Sequence, residues 1–222
     1  MSLVRWKDLC LDALDVDRQS RFWAAVSGLE LAGSVAHRHL AGPTPAHTVW
    51  INEVDRPHVV KNRVHLDVFA TTVTDLVGLG ARVLAPAAET GFGWTVMADL
   101  EGNEFCAFER GEAVPAYRLH GIGIDCADPE SLAHWWGRLF GSAPTQEPGA
   151  DWWTITGVAA NDVMTLDFAP VPETRTAPNR VHWDVVGDAD AVIAAGATPL
   201  WDMPSWRVLA DPEGNEFCVF PG

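Results

Sequence analysis

One phrase is written twice in this chain, as "ADLEGNEFCAFER" at residues 98–110 and as "ADPEGNEFCVFPG" at residues 210–222. The central Glu-Gly-Asn-Glu-Phe-Cys is identical in both copies. A turn and the strand after it recur in this way when the surrounding fold recurs. Duplication explains turn residues such as Gly102 and Gly214. A Glu and a Cys inside an otherwise apolar strand need a second explanation.

Other segments recur in the same order. "NRVHLDV" at residues 62–68 returns as "NRVHWDV" at residues 179–185. An ordered series of repeats indicates two copies of one structural unit. The sequence therefore predicts two tandem domains, residues 1–112 and 113–222.

Each half predicts a strand, a helix and further strands, which is an α+β fold. In the second half Asp128 caps the helix, Pro129 takes its first position and Gly141 ends it. In the first half Asp15 or Asp17 is the predicted cap. The second-half helix carries an apolar stripe with helical spacing, which consists of Leu132, Trp135, Trp136 and Leu139.

The strands alternate apolar and polar side chains. In "NRVHWDV" alternation places His182 and Asp184 opposite the apolar residues, and the first copy places His65 and Asp67 likewise. The apolar faces must pack against the helices, so the polar faces turn either to water or into a cavity. Trp, Phe and Cys are mixed among the polar residues, and this favours a small-molecule cavity.

Charge limits the class of partner. The net charge is −15, from 15 basic and 30 acidic residues, which argues against nucleic acid and anionic membrane surfaces. It is compatible with a cationic ligand, and equally with an ordinary acidic surface. Eleven Trp residues are enough to supply flat walls for an aromatic ligand as well as cores.

Two further features indicate the compartment. The four cysteines have no CxxC spacing and lie in apolar runs, which predicts reduced, buried thiols. No apolar run approaches the roughly 18 residues of a membrane span, and no charged leader precedes an apolar stretch. The sequence therefore predicts a cytoplasmic protein.

With these motifs in hand, the chain resembles the vicinal-oxygen-chelate superfamily, and within it the glyoxalase-like domains grouped with bleomycin-resistance proteins and extradiol dioxygenases. The resemblance lies in "DPEGNEFCVF", "NRVHWDV" and "DCADPESLAHWWGRLFG", and in "DLEGNEFCAF", "NRVHLDV" and "GLGARVL". It implies tandem glyoxalase-like domains, each of paired βαβββ modules that form a cupped mixed sheet with helices outside. Such a chain would be a monomer with an internal pseudo-dimer, or a homodimer.

The resemblance also implies where a divalent metal would bind. Members with metal use four strand positions, which correspond here to His120, Thr165, His182 and Cys218 in the second half, and to Lys7, Trp50, His65 and Cys106 in the first. Neither half supplies the full set. One hypothesis assigns the metal to His120, His182 and Cys218, with Asp167 or Glu216 as substitutes. If the site forms between paired domains, His120 joins His65 and Cys106 instead. A Cys/His set would favour zinc or a similar metal, such as Ni, Mn or Fe. The alternative is that Cys106 and Cys218 are buried apolar residues.

The same reasoning predicts the remaining site residues. Asp67 and Asp184 lie two residues beyond their histidines and are candidates for acid/base groups. Arg63 and Arg180 are candidates to pair with these carboxylates as structural supports. The predicted wall of the ligand cavity comprises His65, Cys106, His120, Thr165, Asp167, His182, Trp206, Glu216 and Cys218.

Other polar residues have weaker signals. His37 and His39 share a face of a predicted strand, as a metal-binding pair or as exposed residues. Asp12 and Asp125 end the first strand of each half and suit a turn or cap. The residues predicted to lie on the surface are His47, His58 and His134.

Two functions follow. The first is a glyoxalase-like protein that binds an aromatic or cationic small molecule in a cupped-sheet cavity, with no assured reaction and no assured cofactor. The second is a metal-dependent enzyme of the superfamily, a lyase or isomerase or a ring-cleaving dioxygenase, in which the metal chelates two adjacent substrate oxygens. The chain has neither a Gly-rich phosphate loop before a helix nor a GxSxG elbow, so nucleotide and serine-hydrolase chemistry lack support.

Overall fold

The computed structural model describes residues 2–222. It contains fifteen strands and five helices, with short 3₁₀ turns between some of them. The strands are β1 (Val4–Ala13), β2 (Glu30–Ala32), β3 (His39–Ala41), β4 (Val49–Glu53), β5 (Val64–Ala70), β6 (Arg82–Ala85), β7 (Thr95–Ala98), β8 (Glu104–Glu109), β9 (Leu119–Cys126), β10 (Trp153–Ile155), β11 (Thr165–Pro170), β12 (Val181–Gly187), β13 (Thr198–Asp202), β14 (Arg207–Ala210) and β15 (Glu216–Phe220). The helices are α1 (Val16–Ser27), α2 (Val73–Gly78), α3 (Ala87–Thr90), α4 (Pro129–Phe140) and α5 (Ala189–Ala194).

The strands form two mixed sheets, which confirms the predicted α+β class. Sheet A has eight strands in the order β13-β14-β15-β12-β1-β4-β3-β2, and sheet B has seven in the order β10-β11-β9-β5-β8-β7-β6. Each sheet takes strands from both halves of the chain. The joints are the antiparallel pairs β1/β12 and β5/β9. This pairing of strands from different halves determines which side chains share a site.

The helices begin and end where the capping residues predict. The Asp15 carboxylate accepts a hydrogen bond from the Arg18 amide at the start of α1. Asp128 does the same for Ser131 at the start of α4. Gly141 ends α4 in the left-handed conformation with φ of 72°, which glycine adopts without a Cβ clash.

Strand alternation divides the two faces of each sheet. On β5 the side chains of Val64, Leu66 and Val68 are buried in the core, and on β11 those of Leu166 and Phe168 are. This core face contacts α1 and α4, and it contains the aromatic cluster of Phe22, Trp23, Phe105, Trp136, Trp183 and Phe217. The histidines and aspartates predicted to be functional lie on the opposite faces.

The first part of the repeated phrase is a buried hydrogen-bonded anchor. The Asp99 carboxylate accepts hydrogen bonds from the backbone N–H groups of Glu101 and Asn103, both at 2.9 Å. It also accepts from Gln19 Nε2 at 2.8 Å and Trp23 Nε1 at 3.3 Å, on helix α1. The phrase therefore ties the turn before β8 to the helix.

Asp211 forms the same anchor in the second copy. It accepts from the backbone N–H groups of Glu213 and Asn215 at 2.9 Å and from Trp136 Nε1 at 3.2 Å. Burial raises the pKa of Asp211, against the hydrogen bonds from Asn215 and Trp136 that lower it.

The glutamates of the phrase fix neighbouring segments. Glu101 accepts hydrogen bonds from the backbone of Leu14 and Asp15 ahead of α1, and Glu213 does the same ahead of α4. The second glutamate of each phrase holds an inter-module linker. We name residues 54–63 the first linker and residues 171–180 the second linker.

Glu216, predicted as a cavity residue and substitute metal ligand, serves as such a support. Its oxygens contact Arg175 and accept from the Asn179 amide at 3.3 Å. In the first copy Glu104 lies 3.1 Å from His58 Nε2. The recurring Glu in the strand is thereby explained as an anchor for a linker rather than as a ligand.

Across residues 2–222, no helix is both long and apolar enough to cross a membrane.

Candidate functional site

Each sheet presents one polar face away from α1 and α4. We name them face A, on sheet A, and face B, on sheet B. Face A holds Lys7, Asp8, Cys10, Trp50, His182, Asp184, Trp206, Cys218 and Phe220. Face B holds His65, Asp67, Phe69, Trp94, Cys106, Phe108, His120, Thr165 and Asp167.

The hypothesis that His120, His182 and Cys218 form one site is wrong. His120 lies on β9 in sheet B, whereas His182 and Cys218 lie on β12 and β15 in sheet A. The alternative arrangement is the observed one, because β9 pairs with β5 and β5 pairs with β8. His120 therefore shares a sheet face with His65 and Cys106.

The centre of face B is a group of three potential ligand atoms. One atom each from His65, Asp67 and Cys106 lie within 4.8 Å of one another. His65 Nε2 is 3.4 Å from Asp67 Oδ1. Burial opposes protonation of His65, but the adjacent Cys106 and Asp67 raise its pKa well above the usual range. Burial also raises the pKa of the Cys106 thiol, whereas the charge of His65 and its hydrogen bond with that thiol lower it.

Two glycines of β9 make the floor of face B. Gly123 faces His65 and Gly121 faces Asp67 across the strand pair. A Cβ at Gly123 would lie 2.3 Å from the His65 ring, and one at Gly121 would lie 3.1 Å from Asp67 Oδ2. The imidazole therefore lies directly over glycine backbone, where any side chain would displace it.

An aromatic wall borders this group. The Phe69 and His120 rings stack at 4.0 Å, and Phe108 meets His120 edge-on at 4.5 Å. Trp94 lies 5.3 Å from Phe108, and Phe92 stacks on Trp94 at 4.8 Å. Burial lowers the pKa of His120, so its ring is neutral near pH 7 and extends the wall. Its buried Nε2 has no hydrogen-bond partner among residues 2–222.

A second carboxylate completes face B. Asp167 accepts hydrogen bonds from the hydroxyls of Thr154, at 2.6 Å, and Thr165. Burial raises the pKa of Asp167, and the two threonine hydrogen bonds oppose that rise. Thr165 occupies a metal-ligand position of the superfamily but donates to Asp167 here.

Face A is built from equivalent strands and is filled by its own side chains. Asp8 lies opposite Asp184 in the β1/β12 register. Lys7 Nζ is 2.6 Å from Asp8 Oδ2, 3.8 Å from Asp184 Oδ2 and 4.1 Å above the Phe220 ring. Trp50 Nε1 donates to Asp8 at 3.0 Å. An ammonium group therefore occupies the position between the carboxylates.

Burial and neighbouring charges shift the pKa values of the titratable groups on face A. Burial, with Asp8 alongside, raises the pKa of Asp184 to about 7. Burial lowers the pKa of His182 to about 4. It also raises the pKa of Cys10 and Cys218. His182 and Cys218 are consequently neutral at pH 7, a neutral imidazole beside a neutral thiol.

The two faces differ in their fit to a metal ion. Cys10, His182 and Asp184 on face A also lie within 4.8 Å of one another. Lys7 and Trp50 nevertheless take two of the superfamily's ligand positions, and the Lys7 ammonium already contacts the carboxylates, so face A does not fit a metal. Face B offers three ligand atoms without a lysine, which is the minimum for a catalytic metal.

The structure contradicts the predicted pairing of two arginines and places one predicted cavity residue, Trp206, on face A. Arg63 and Arg180 do not pair with Asp67 and Asp184, because each guanidinium instead donates to a backbone carbonyl of the opposite linker. Trp206 stacks on Phe220 at 5.1 Å, on face A.

The three histidines predicted to lie on the surface differ in burial. His47 is buried and hydrogen-bonds Thr44 Oγ1 at 2.8 Å, so its surface prediction is wrong. His58 is half-buried and paired with Glu104, while His134 is exposed as predicted. His37 and His39 are not a pair on one strand, because His37 lies in a 3₁₀ turn and His39 packs against Trp50 on β3.

All four cysteines are free and buried, as predicted. The sequence reasoning missed Phe69, Phe108 and Trp94 as wall residues and Lys7 as an internal cation. A signal was present: "KDLCLD" at residues 7–12 corresponds to "HGIGID" at residues 120–125, so the second copy has glycine where the first has Asp8 and Cys10.

Comparison with known proteins agrees with this architecture. The model of the Glyoxalase-like domain family matches the chain twice, at residues 8–108 and 121–220. A comparison with curated proteins gave no significant match. Glyoxalase I from maize (Zea mays) superposes with a TM-score of 0.67 over 98% of this chain and 92% of its own, at 15% identity.

A putative dioxygenase from Bacillus subtilis superposes with a TM-score of 0.64 over 99% of this chain and 86% of its own, also at 15% identity. At this identity the likeness to both structures shows a shared fold and leaves the reaction open. The two family matches together span most of the sequence. The chain therefore belongs to the glyoxalase-like domain family, in two copies, within the vicinal-oxygen-chelate superfamily.

Proposed function

We propose that face B binds a small aromatic molecule that carries a positive charge. The observation that supports this most strongly is the contrast between the faces. Both present two carboxylates, but Lys7 lies between the pair on face A, whereas on face B only the His65 imidazole lies beside Asp67 and no lysine lies beside Asp67 or Asp167. A ligand cation would supply beside Asp167 the positive charge that its two threonine partners do not supply.

The residues opposite the His and Asp pair also differ between the two faces. On face A the positions opposite His182 and Asp184 carry the side chains of Cys10 and Asp8. On face B the equivalent positions are Gly123 and Gly121. The His65 imidazole and the Asp67 carboxylate lie directly over these glycines, so a flat ligand would contact both groups from the outer side of face B.

The aromatic wall suits a delocalised cation. Rings attract cations over their faces by about 0.5 to 2 kcal/mol, depending on desolvation. Arg110 already lies 4.7 Å above the Phe69 ring at the rim, so one ring of the wall carries a cation from the protein itself. The Trp94 and Phe108 rings would hold the ligand on the inner side.

The proposal predicts selective binding of a cationic probe. 1-Methylquinolinium should bind more tightly than neutral quinoline in isothermal titration calorimetry at pH 7.5. Asp67→Asn should weaken the binding of 1-methylquinolinium by about tenfold, since a buried charge-assisted contact contributes about 1.5 kcal/mol or more. Quinoline binding should change little in this variant.

The duplication offers a matched control for this measurement. Asp184→Asn makes the same chemical change at the equivalent position of face A and should leave 1-methylquinolinium binding unchanged. Equal affinity for the charged and neutral probes, or equal loss in the two variants, would contradict the proposal.

A divalent metal at His65, Asp67 and Cys106 is the second candidate, and the close approach of their three ligand atoms favours it. His120, with its unpartnered Nε2, lies on the same face as a further nitrogen. Such an ion would act as a Lewis acid toward two adjacent substrate oxygens, which is the chemistry of a lyase, isomerase or dioxygenase. The aromatic wall would then orient the substrate and exclude water from it.

Elemental analysis distinguishes the two candidates. If a metal binds, the protein purified without chelator, or soaked in Zn, Mn, Ni or Fe(II), should hold about one equivalent per chain. His65→Ala should lose it and His182→Ala, on face A, should keep it. No uptake of any of these metals would end the metal hypothesis and leave the organic-cation proposal standing.

A further inference from the structure

A cavity lies outside both faces, between the first and second linkers. Its volume is about 280 Å³. The two linkers are equivalent segments of the duplicated fold, and each precedes the "NRV" that begins β5 or β12. We name this cavity the linker pocket.

The wall of the linker pocket is basic, in contrast to the rest of the chain. Its charged residues are Arg56, Lys61, Arg63 and Arg180 against a single acid, Glu173. The whole chain has 15 basic and 30 acidic residues. Four of its few cations therefore surround one pocket that has one carboxylate, which is an arrangement suited to an anion.

The positive charges are only partly neutralised by the protein. Lys61 pairs with Asp125 at 2.5 Å, and Arg63 has Glu173 no closer than 3.9 Å. In the part of the chain that the structure describes, no carboxylate lies within 4.0 Å of the Arg56 or Arg180 guanidinium. Burial raises the pKa of the Asp12 carboxyl to about 6, and the charges of Arg180 and Arg56 lower it. The Asp12 carboxylate therefore offsets part of the positive charge of these two arginines.

Two of the arginines are buried and held in place. Arg63 donates to the backbone carbonyl of Glu173, and Arg180 donates to that of Arg56. The two residues are only 8% and 7% exposed. Each guanidinium spans to the opposite linker, so the pair is pre-organised with the remaining N–H groups free for a ligand.

The pocket also has an apolar side. Val59 is 75% exposed and Val60 is 41% exposed, an unusual position for two large aliphatic side chains. Pro57 and Pro178 line the pocket near them. A ligand with a hydrocarbon body would cover these side chains.

We infer that the linker pocket binds a small organic anion, with a carboxylate or phosphate group on the Arg63/Arg180 pair and an apolar body against Val59 and Val60. Arg recognises both groups because its planar fork donates two parallel hydrogen bonds to them. The cavity volume accommodates a molecule of about ten non-hydrogen atoms, on the basis of roughly 30 Å³ per water-sized unit. The site is separate from face B.

The test uses three probes of similar size, followed by ¹H–¹⁵N NMR of the full chain. Benzoate and phenyl phosphate carry the two anionic groups, and benzamide is the neutral control. Benzoate or phenyl phosphate should shift the amide signals of residues 54–63 and 171–180 with saturation, and benzamide should not. The anion that binds more tightly identifies the preferred group.

Variants assign the effect to the arginines. Arg180→Gln should weaken binding of the preferred anion by about tenfold. Because Arg180 also holds a linker, Arg56→Gln provides a second variant at an exposed side chain, with an expected loss of about threefold. Arg21→Gln, on helix α1 away from the pocket, should bind as the unmodified chain does, and so should Asp67→Asn on face B.

Three results would overturn the inference. They are equal shifts with benzamide, shifts that spread over the surface without saturating, and unchanged affinity in Arg56→Gln. Because Asp67→Asn tests face B and Arg56→Gln tests the pocket, failure of one proposal is distinguishable from failure of the other.

Discussion

Asp99→Ala is expected to lower the free energy of unfolding by about 4 kcal/mol, since the change leaves several buried donors without an acceptor at about 1 to 3 kcal/mol each. The donors are Gln19 Nε2, Trp23 Nε1 and the backbone N–H of Asn103. Domain stability is typically only about 5 to 15 kcal/mol. Chemical denaturation followed by Trp fluorescence measures the loss.

The second copy of the phrase supplies a graded comparison. Asp211 lacks the glutamine donor, because Leu132 stands where α1 has Gln19. Asp211→Ala should therefore cost about 1 kcal/mol less than Asp99→Ala. Asp151→Ala, at an exposed position, should change the free energy of unfolding by no more than about 0.5 kcal/mol. A loss below about 1 kcal/mol in Asp99→Ala would show that the anchor contributes little.

Local signals were sufficient to predict the elements. Asp128, Pro129 and Gly141 specify the limits of α4 because capping depends on residues within one turn. The left-handed glycines of the repeated turns, Gly102 and Gly214, have φ of 95° and 88°. Alternation along β5 and β12 correctly separated the core face from the polar face, since it requires only that the residues form a strand.

The pairing of the two halves could not be predicted in the same way. Whether β1 pairs with β5 or with β12 depends on contacts between distant segments, which leave no periodicity in the sequence. That pairing determines whether His120 shares a face with His65 or with His182. The candidate metal set for the second half was therefore wrong although each residue lies on the predicted kind of face.

Burial of single polar residues was the other failure. The His47 ring packs edge-on against Tyr117, and Glu216 holds the second linker, and only the folded chain brings these partners together. The difference between the two faces could have been predicted from the sequence. Gly121 and Gly123 in the second copy, against Asp8 and Cys10 in the first, indicate an open floor on one sheet and a filled one on the other.

Face A has Asp8 and Cys10 where face B has glycines, and it holds an internal ion pair. The charged and titratable groups that face one another there are Lys7, Asp8, Cys10, His182, Asp184 and Cys218. The folded-state pKa of Asp184, about 7, lies above the usual 3.8 of an aspartate. The folded chain therefore binds the proton more tightly than the unfolded chain, and Asp184 makes stability fall as pH rises from about 4 to about 7.

Asp184→Asn should consequently stabilise the protein at high pH and not at low pH. A difference of roughly three pKa units corresponds to about 4 kcal/mol, which is the upper limit of the gain at pH 8, and the gain at pH 4 should be below about 1 kcal/mol. An asparagine at this position can also donate to Asp8, whose partner Lys7 remains at 2.6 Å. His182, with its low pKa, is neutral over most of this range and leaves the difference unchanged. The measurement is the free energy of unfolding of the two proteins at pH 4, 6 and 8, with the exposed Asp151→Asn as control. If Asp184→Asn is equally or less stable at pH 8, burial does not destabilise the ionised Asp184 carboxylate. Face A would then contain an ordinary ion pair that stabilises the sheet.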